Sequence, residues 1–146
     1  MPLISDYMNK DHKHCDDAFV RAEERAAAGD WVGLERDCGT FLREIERHIG
    51  IEEKLLFPAF DEETGMTSGP TETMRTEHEE MRGMFARMRA AIQAKDSAQY
   101  LETAQTLHLL LQQHNAKEET MMYPMLDESL GDEAQNLLTQ IESVAA

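Results

Sequence analysis

His48-Ile49-Gly50-Ile51-Glu52-Glu53-Lys54-Leu55-Leu56-Phe57-Pro58 is answered 66 residues later by His114-Asn115-Ala116-Lys117-Glu118-Glu119-Thr120-Met121-Met122-Tyr123-Pro124. Both stretches read His-x3-Glu-Glu-x4-Pro. A helical residue and its fourth successor share one face about 6 Å apart in rise, so each stretch points an imidazole and a carboxylate at the same place. Further out, His12 and His78 keep the same offset, as do Met8/Met74, Phe19/Phe85, Asp30/Asp96, Glu53/Glu119, Pro58/Pro124 and Asp61/Asp127. Identity is otherwise low, and the matches fall on the chemically unusual residues. The chain therefore reads as two copies of one half, about 5–63 and 70–129, without insertion or deletion between them.

With 146 residues the chain is expected to form one domain, so the halves must share a core. An apolar content of 41%, few aromatics and only four prolines favour helices. The net charge of −15 argues against nucleic acid, whose binders cluster Lys and Arg to replace counterions. The N-terminus from Met1 to Asp6 lacks a basic region and an apolar signal segment, and no apolar run approaches membrane-spanning length. A soluble cytoplasmic protein without a membrane partner, a monomer or weak homodimer, is expected. Cys15 and Cys38 have neither disulfide-framework nor thiolate-zinc spacing and read as reduced thiols in or near the core.

Breakers divide the chain into four long helices and a short fifth. The first runs from about Ser5 to Ala28, ending before Gly29, with Asp30 capping the next. The second runs from about Trp31 into Pro58, which should kink or end it. A loop over 63–69 leads to a third helix from Pro70 to about Ala94, and Asp96 or Ser97 opens a fourth that runs to about Pro124. A tail helix is expected over about 132–144, packed through Leu137, Leu138 and Ile141. The two-residue connections imply an all-α, antiparallel up-down-up-down four-helix bundle with a short fifth helix. Apolar stripes run through Met8, Cys15, Phe19, Ala22 and Ala26; Phe41, Ile45, Ile51 and Leu55; Met74, Met81, Phe85, Met88 and Ile92; and Leu107, Leu111 and Met121. His12, His48, Glu52, His78, His114 and Glu118 lie on those stripes.

Burying six such groups is costly unless something satisfies them, and a metal ion does so while keeping the carboxylates ionised. Nitrogen and oxygen donors without thiolate suit iron, manganese or zinc. Carboxylates from two helices can bridge two ions about 3.5–4 Å apart, so a nearly two-fold dinuclear site is expected. His14, off the stripe, reads as exposed, His108 as a packing or outer residue, and Glu53 and Glu119 as a solvated face. Asp16 is a possible further ligand, and Glu44 a possible acceptor for the His48 imidazole. Cys15, three residues from His12, should lie near the metals as an inert thiol. The methionines read as adaptable filler.

Asp11-His12, Glu46-Arg47-His48-Ile49-Gly50-Ile51-Glu52-Glu53, Leu56-Phe57-Pro58, Glu77-His78, His114-Asn115-Ala116-Lys117-Glu118-Glu119 and Tyr123-Pro124 together resemble the hemerythrin-like, or HHE cation-binding, family. The resemblance implies a four-helix bundle holding a non-haem diiron centre with bridging carboxylates, with His12, His48, Glu52, His78, His114 and Glu118 as the ligands. Oxygen-carrying members have a His-x3-His pair on the third helix and an Asp five residues after the fourth-helix His. Met74 and Arg82 flank His78 here, and Glu118 follows His114 at the fourth position, which argues against reversible oxygen carriage. Two functions are expected to compete. One is a diiron protein that binds or reduces oxygen, peroxide or nitric oxide, with two irons open on both sides that autoxidise to an oxo- or hydroxo-bridged ferric form. The other is a module that senses or stores metal without turnover.

Overall fold

The computed structural model describes residues 3–66 and 69–145. Met1, Pro2, Thr67, Ser68 and Ala146 lie outside the described residues. The elements are α1 Ile4–Ala27, α2 Trp31–Ile51, a π-helical turn Glu52–Leu56, α3 Phe57–Thr64, α4 Pro70–Gln93, α5 Ser97–Lys117, a second π-helical turn Glu118–Met122, α6 Tyr123–Leu130 and α7 Glu133–Ala145. The protein is an all-helical bundle. Helix α1 packs chiefly on α2 and α4 chiefly on α5, while α1 also meets α5 and α6, and α3 meets α6. The bounds from α4 to α6 are those from α1 to α3 moved by 66 residues.

The helix signals act where the breakers stand. The Asp30 carboxylate accepts from Gly33 N–H at 2.9 Å and Asp96 from Gln99 N–H at 3.0 Å, each satisfying a donor that the first helical turn leaves free. Gly29 turns the chain with φ +71°, and Lys95 takes the same left-handed role with φ +52°. Asp127 accepts from the Ser5 backbone at 3.2 Å and from its hydroxyl at 2.5 Å, tying the start of α1 to the end of α6. Asp61 does the same for α4, accepting from the Thr71 hydroxyl at 2.7 Å. These contacts explain why an Asp follows each Pro three residues on.

Neither Pro58 nor Pro124 ends its helix. The Phe57 N–H reaches back five residues to the Glu52 carbonyl, and that of Tyr123 to the Glu118 carbonyl. Each π turn is one residue wider than an α turn, and the helix resumes with its proline in a new first turn, where a missing donor costs little. The extra residue advances the helical phase. The stripes anticipated Leu55 and Met121 inside; instead Leu56 and Met122 are buried, and Met121 is 59% exposed.

Apolar side chains gather in two clusters. One contains Cys15, Phe19, Phe41, Ile45, Met81, Phe85 and Leu107; the other contains Ile4, Met8, Ile51, Phe57, Met74, Met122 and Tyr123. Along α1 the change from one cluster to the other falls between Met8 and Cys15, and along α4 between Met74 and Met81. His12 and His78 stand at those two changes, so a buried polar layer separates two apolar lobes. Each buried Phe contributes roughly 1.5–3 kcal/mol, which is what lets the lobes hold such a layer in place. Leu137, Leu138 and Ile141 of α7 close the second lobe, as the tail pattern predicts. Among the described residues, no helix is long and apolar enough to cross a membrane.

Candidate metal centre

The six candidate residues converge from α1, α2, α4, α5 and the first residue of each π turn, and none is more than 3% exposed. They form two groups close enough to hold an ion: Glu52, His78, His114 and Glu118, and His12, His48 and Glu118. Glu118 belongs to both. Its Oε1 lies 2.9 Å from His12 Nε2 and its Oε2 lies 3.3 Å from His114 Nε2. Glu52 places Oε1 3.1 Å from His78 Nε2 and Oε2 3.8 Å from His48 Nε2.

All four imidazoles face the same way. Each turns Nε2 into the layer and Nδ1 outward to a carboxylate: His48 to Asp11 at 2.8 Å, His114 to Glu77 at 2.7 Å, His78 to Glu53 at 2.8 Å and His12 to Glu119 at 3.0 Å. A carboxylate can only accept, so Nδ1 carries the proton and the Nε2 lone pair is free for a cation once Nε2 is deprotonated. Three of the four carboxylates are in turn held by a cation. Arg47 donates to Asp11 at 2.9 Å, Arg82 donates to Glu53 at 2.8 and 3.1 Å, and Lys117 donates to Glu77 at 2.5 Å. This carboxylate–histidine arrangement is the one that orients metal-binding imidazoles.

A family model decides what the layer belongs to: that of the hemerythrin HHE cation-binding domain matches residues 3–126, nearly the whole bundle. The chain belongs to the hemerythrin HHE cation-binding family. No curated protein and no solved structure matches it to the same standard.

The donors of this hemerythrin-family chain fit a cation by a test independent of the family. Glu52 Oε1, His78 Nε2 and Glu118 Oε2 are buried without a well-formed hydrogen bond, a costly state for three polar atoms side by side. A metal ion between them would satisfy all three.

Several outer residues differ from expectation. Glu53 and Glu119 are not a merely solvated face. They reach across to His78 and His12 on other helices. Asp11 rather than Glu44 holds His48, while Glu44 pairs with exposed His14 at 3.2 Å and with Arg47 at 3.4 Å. Asp16 is exposed and joins neither donor group. It stands where the 66-residue register puts Arg82, so Glu119 faces a second carboxyl rather than a guanidinium. His108 is exposed and stacks on Phe19, ring centroids 6.0 Å apart. Cys15 is buried, and burial with the Asp11 charge pushes its thiol well up, away from the reactive thiolate.

Sequence reasoning missed Tyr123. Its hydroxyl lies 2.8 Å from Glu52 Oε2, 3.0 Å from Glu118 Oε1 and 3.1 Å from Nε2 of both His12 and His48. In an α-helix the fifth residue after Glu118 would lie about 140° round the axis. The π turn, whose bonds join each residue to its fifth successor, brings Tyr123 onto the face of Glu118. The corresponding residue of the first half is Phe57, stacked 5.9 Å from His78.

Charge in the layer is strongly coupled. Burial opposes ionisation of both inner glutamates; Glu118, bonded to Glu52, His114 and His12, is nevertheless held well below the ordinary carboxyl range, while Glu52, against the Glu118 charge, is pushed up. Burial likewise opposes charging His48 and His114. The charge of Glu52 and the bond to Asp11 raise His48 to about 10, and Glu118 raises His114 to about 9. Without metal, both imidazoles are thus protonated at neutral pH. Both values exceed the ordinary 6.5. Their stabilisation of the metal-free protein is therefore full below about 6.5 and lost as pH rises through about 9 to 10. Binding a redox-inert divalent ion at pH 7 should release protons, and affinity should climb with pH toward 9, as a pH-stat titration would record. Uptake without proton release would contradict this charge state.

Proposed function

We propose that this protein is a non-haem diiron protein that binds or reduces a small oxidant: oxygen, peroxide or nitric oxide. The observation that carries the reading is the common orientation of four buried imidazoles around two buried carboxylates. In this reading His12 and His48 hold one ion, His78 and His114 hold the other, and Glu52 and Glu118 lie between them. The two halves, about 5–63 and 70–129, are repeated units of one up-down-up-down domain with a tail over about 132–144, as the common spacing of helix bounds supports. Iron, which unlike redox-inert zinc changes oxidation state, would supply the electrons. The chain orients the imidazoles through the outer carboxylates and screens the centre from bulk water with two apolar lobes.

If the outer carboxylates orient the ligands, Asp11→Asn and Glu77→Gln should each weaken metal affinity about 10–100-fold. Glu44→Gln, which removes no carboxylate from an imidazole of the layer, should leave it unchanged. Competition against a chromophoric chelator checks all three, and equal affinity throughout would mean that the imidazoles need no outer support.

Stopped-flow mixing of anaerobic ferrous protein with oxygen or nitric oxide tests the function. A fast absorbance change that degassing does not reverse is expected. An oxygen adduct restored to the ferrous state by degassing would indicate a carrier, and metal-dependent stability without redox reaction would indicate sensing or storage.

A further inference from the structure

The two donor groups differ in one respect that bears on where a small ligand binds. In the group built from His12, His48 and Glu118, the Tyr123 hydroxyl meets both Nε2 atoms, Glu118 Oε1 and Glu52 Oε2, and none of these four atoms lacks a partner. In the other group Phe57 presents only an apolar ring beside His78, and Glu52 Oε1, His78 Nε2 and Glu118 Oε2 have ion-pair contacts of 3.1 and 3.3 Å but no well-formed hydrogen bond.

We propose that Tyr123 is itself a metal donor through Oη, closing the His12/His48 half-site and leaving the His78/His114 half-site to receive the exogenous small ligand. The inference rests on the dinuclear reading above. Donors that share one ion, with bonds of about 2.0–2.2 Å at right angles, stand about 2.8–3.1 Å apart. The four contacts of Oη span 2.8 to 3.1 Å, so the phenol oxygen already sits at the spacing of a neighbouring donor to all four atoms. The rigid π turn fixes it there, since Tyr123 is fully buried and follows Glu118 by one π repeat. On coordination the Oη–metal bond forms, the phenol proton passes to solvent, and no electron is exchanged.

The opposite half-site has the complementary features. It has two histidines and two carboxylates but, among the described residues, no fifth donor, and the Phe57 ring forms an apolar wall that suits an uncharged diatomic molecule. A surface cavity of about 380 Å³ is lined by Thr73, Met74, Lys117, Met121, Met122 and Met125. Its lining includes sequence neighbours of both half-sites, Met74 one turn before His78 and Met122 next to Tyr123.

The test is the visible and resonance Raman spectrum of the ferric-loaded protein, with iron content measured on the same samples. Wild type should show a phenolate-to-iron charge-transfer band with enhanced tyrosine ring modes, and these modes should shift in protein grown on ring-deuterated tyrosine. Tyr123→Phe should lose band and modes while keeping about two irons per chain, and Phe57→Tyr should strengthen the band. A wild-type protein with two irons and no tyrosine modes overturns the assignment of Tyr123 alone; Tyr123 would then be a hydrogen-bonding group. A wild-type protein that takes up no iron overturns the diiron reading and this assignment together. The isotope shift needs no variant, so a Tyr123→Phe protein that fails to fold does not remove the test.

Discussion

Glu118→Ala is expected to empty the centre of both ions, leaving less than half an equivalent where about two are expected of the parent. Glu118 is the one side chain common to both donor groups, with one oxygen toward His12 and the other toward His114. Its removal takes a donor from each half-site and leaves protonated imidazoles facing one another with a single inner carboxylate, which lowers cation affinity further. Glu53→Ala and Glu119→Ala should retain most of the metal, because those residues touch only the outward Nδ1 atoms. Elemental analysis after loading and desalting, with circular dichroism to confirm the helices, gives the comparison. Equal losses at Glu53, Glu118 and Glu119 would show that the inner and outer carboxylates have been wrongly separated.

Removing metal with a chelator should lower the thermal midpoint by about 8–16 °C for each ion lost. A ligand present at 1,000 times its dissociation constant stabilises the folded state by about 4.1 kcal/mol per site, and a chain of this size shifts by about 2–4 °C per kcal/mol. The physical source is the buried layer, where a metal would replace like-charge contacts and give bonds to three polar atoms that lack a well-formed hydrogen bond. Calorimetry of loaded and chelator-treated protein measures the difference. An unchanged midpoint would mean that the layer does not prefer metal in the folded state.

The helical class, the capping aspartates and the six inner residues were legible because each depends on local spacing. Asp30 and Asp96 sit at the positions that cap a helix, and His48/Glu52 and His114/Glu118 need only one α turn to share a face. What was not legible follows from the two π turns. A single widened turn has no simple residue signature, and it moves every later side chain round the axis, taking Leu56 and Met122 inside in place of Leu55 and Met121. The same shift carries Tyr123 beside Glu118, and contacts across helices, which spacing within one helix does not show, bring Glu53 and Glu119 to imidazoles. Proline at Pro58 and Pro124 was the available clue, read as a kink or an end of the helix where the π turn accommodates it. Asp11 and Glu77, acids 66 residues apart and each just before a histidine, carried a signal for the outer shell that spacing within one helix does not decode. The equivalence expected of the two half-sites fails at Tyr123 and Phe57 and at Arg82 and Asp16, positions where the register holds but the chemistry does not.

The most direct test of the central claim is the metal content of protein purified anaerobically and loaded with ferrous iron, measured against chain concentration by amino-acid analysis. Two donor groups joined by Glu118 predict about two irons per chain. A stoichiometry that saturates near one, or near zero, would contradict the dinuclear account.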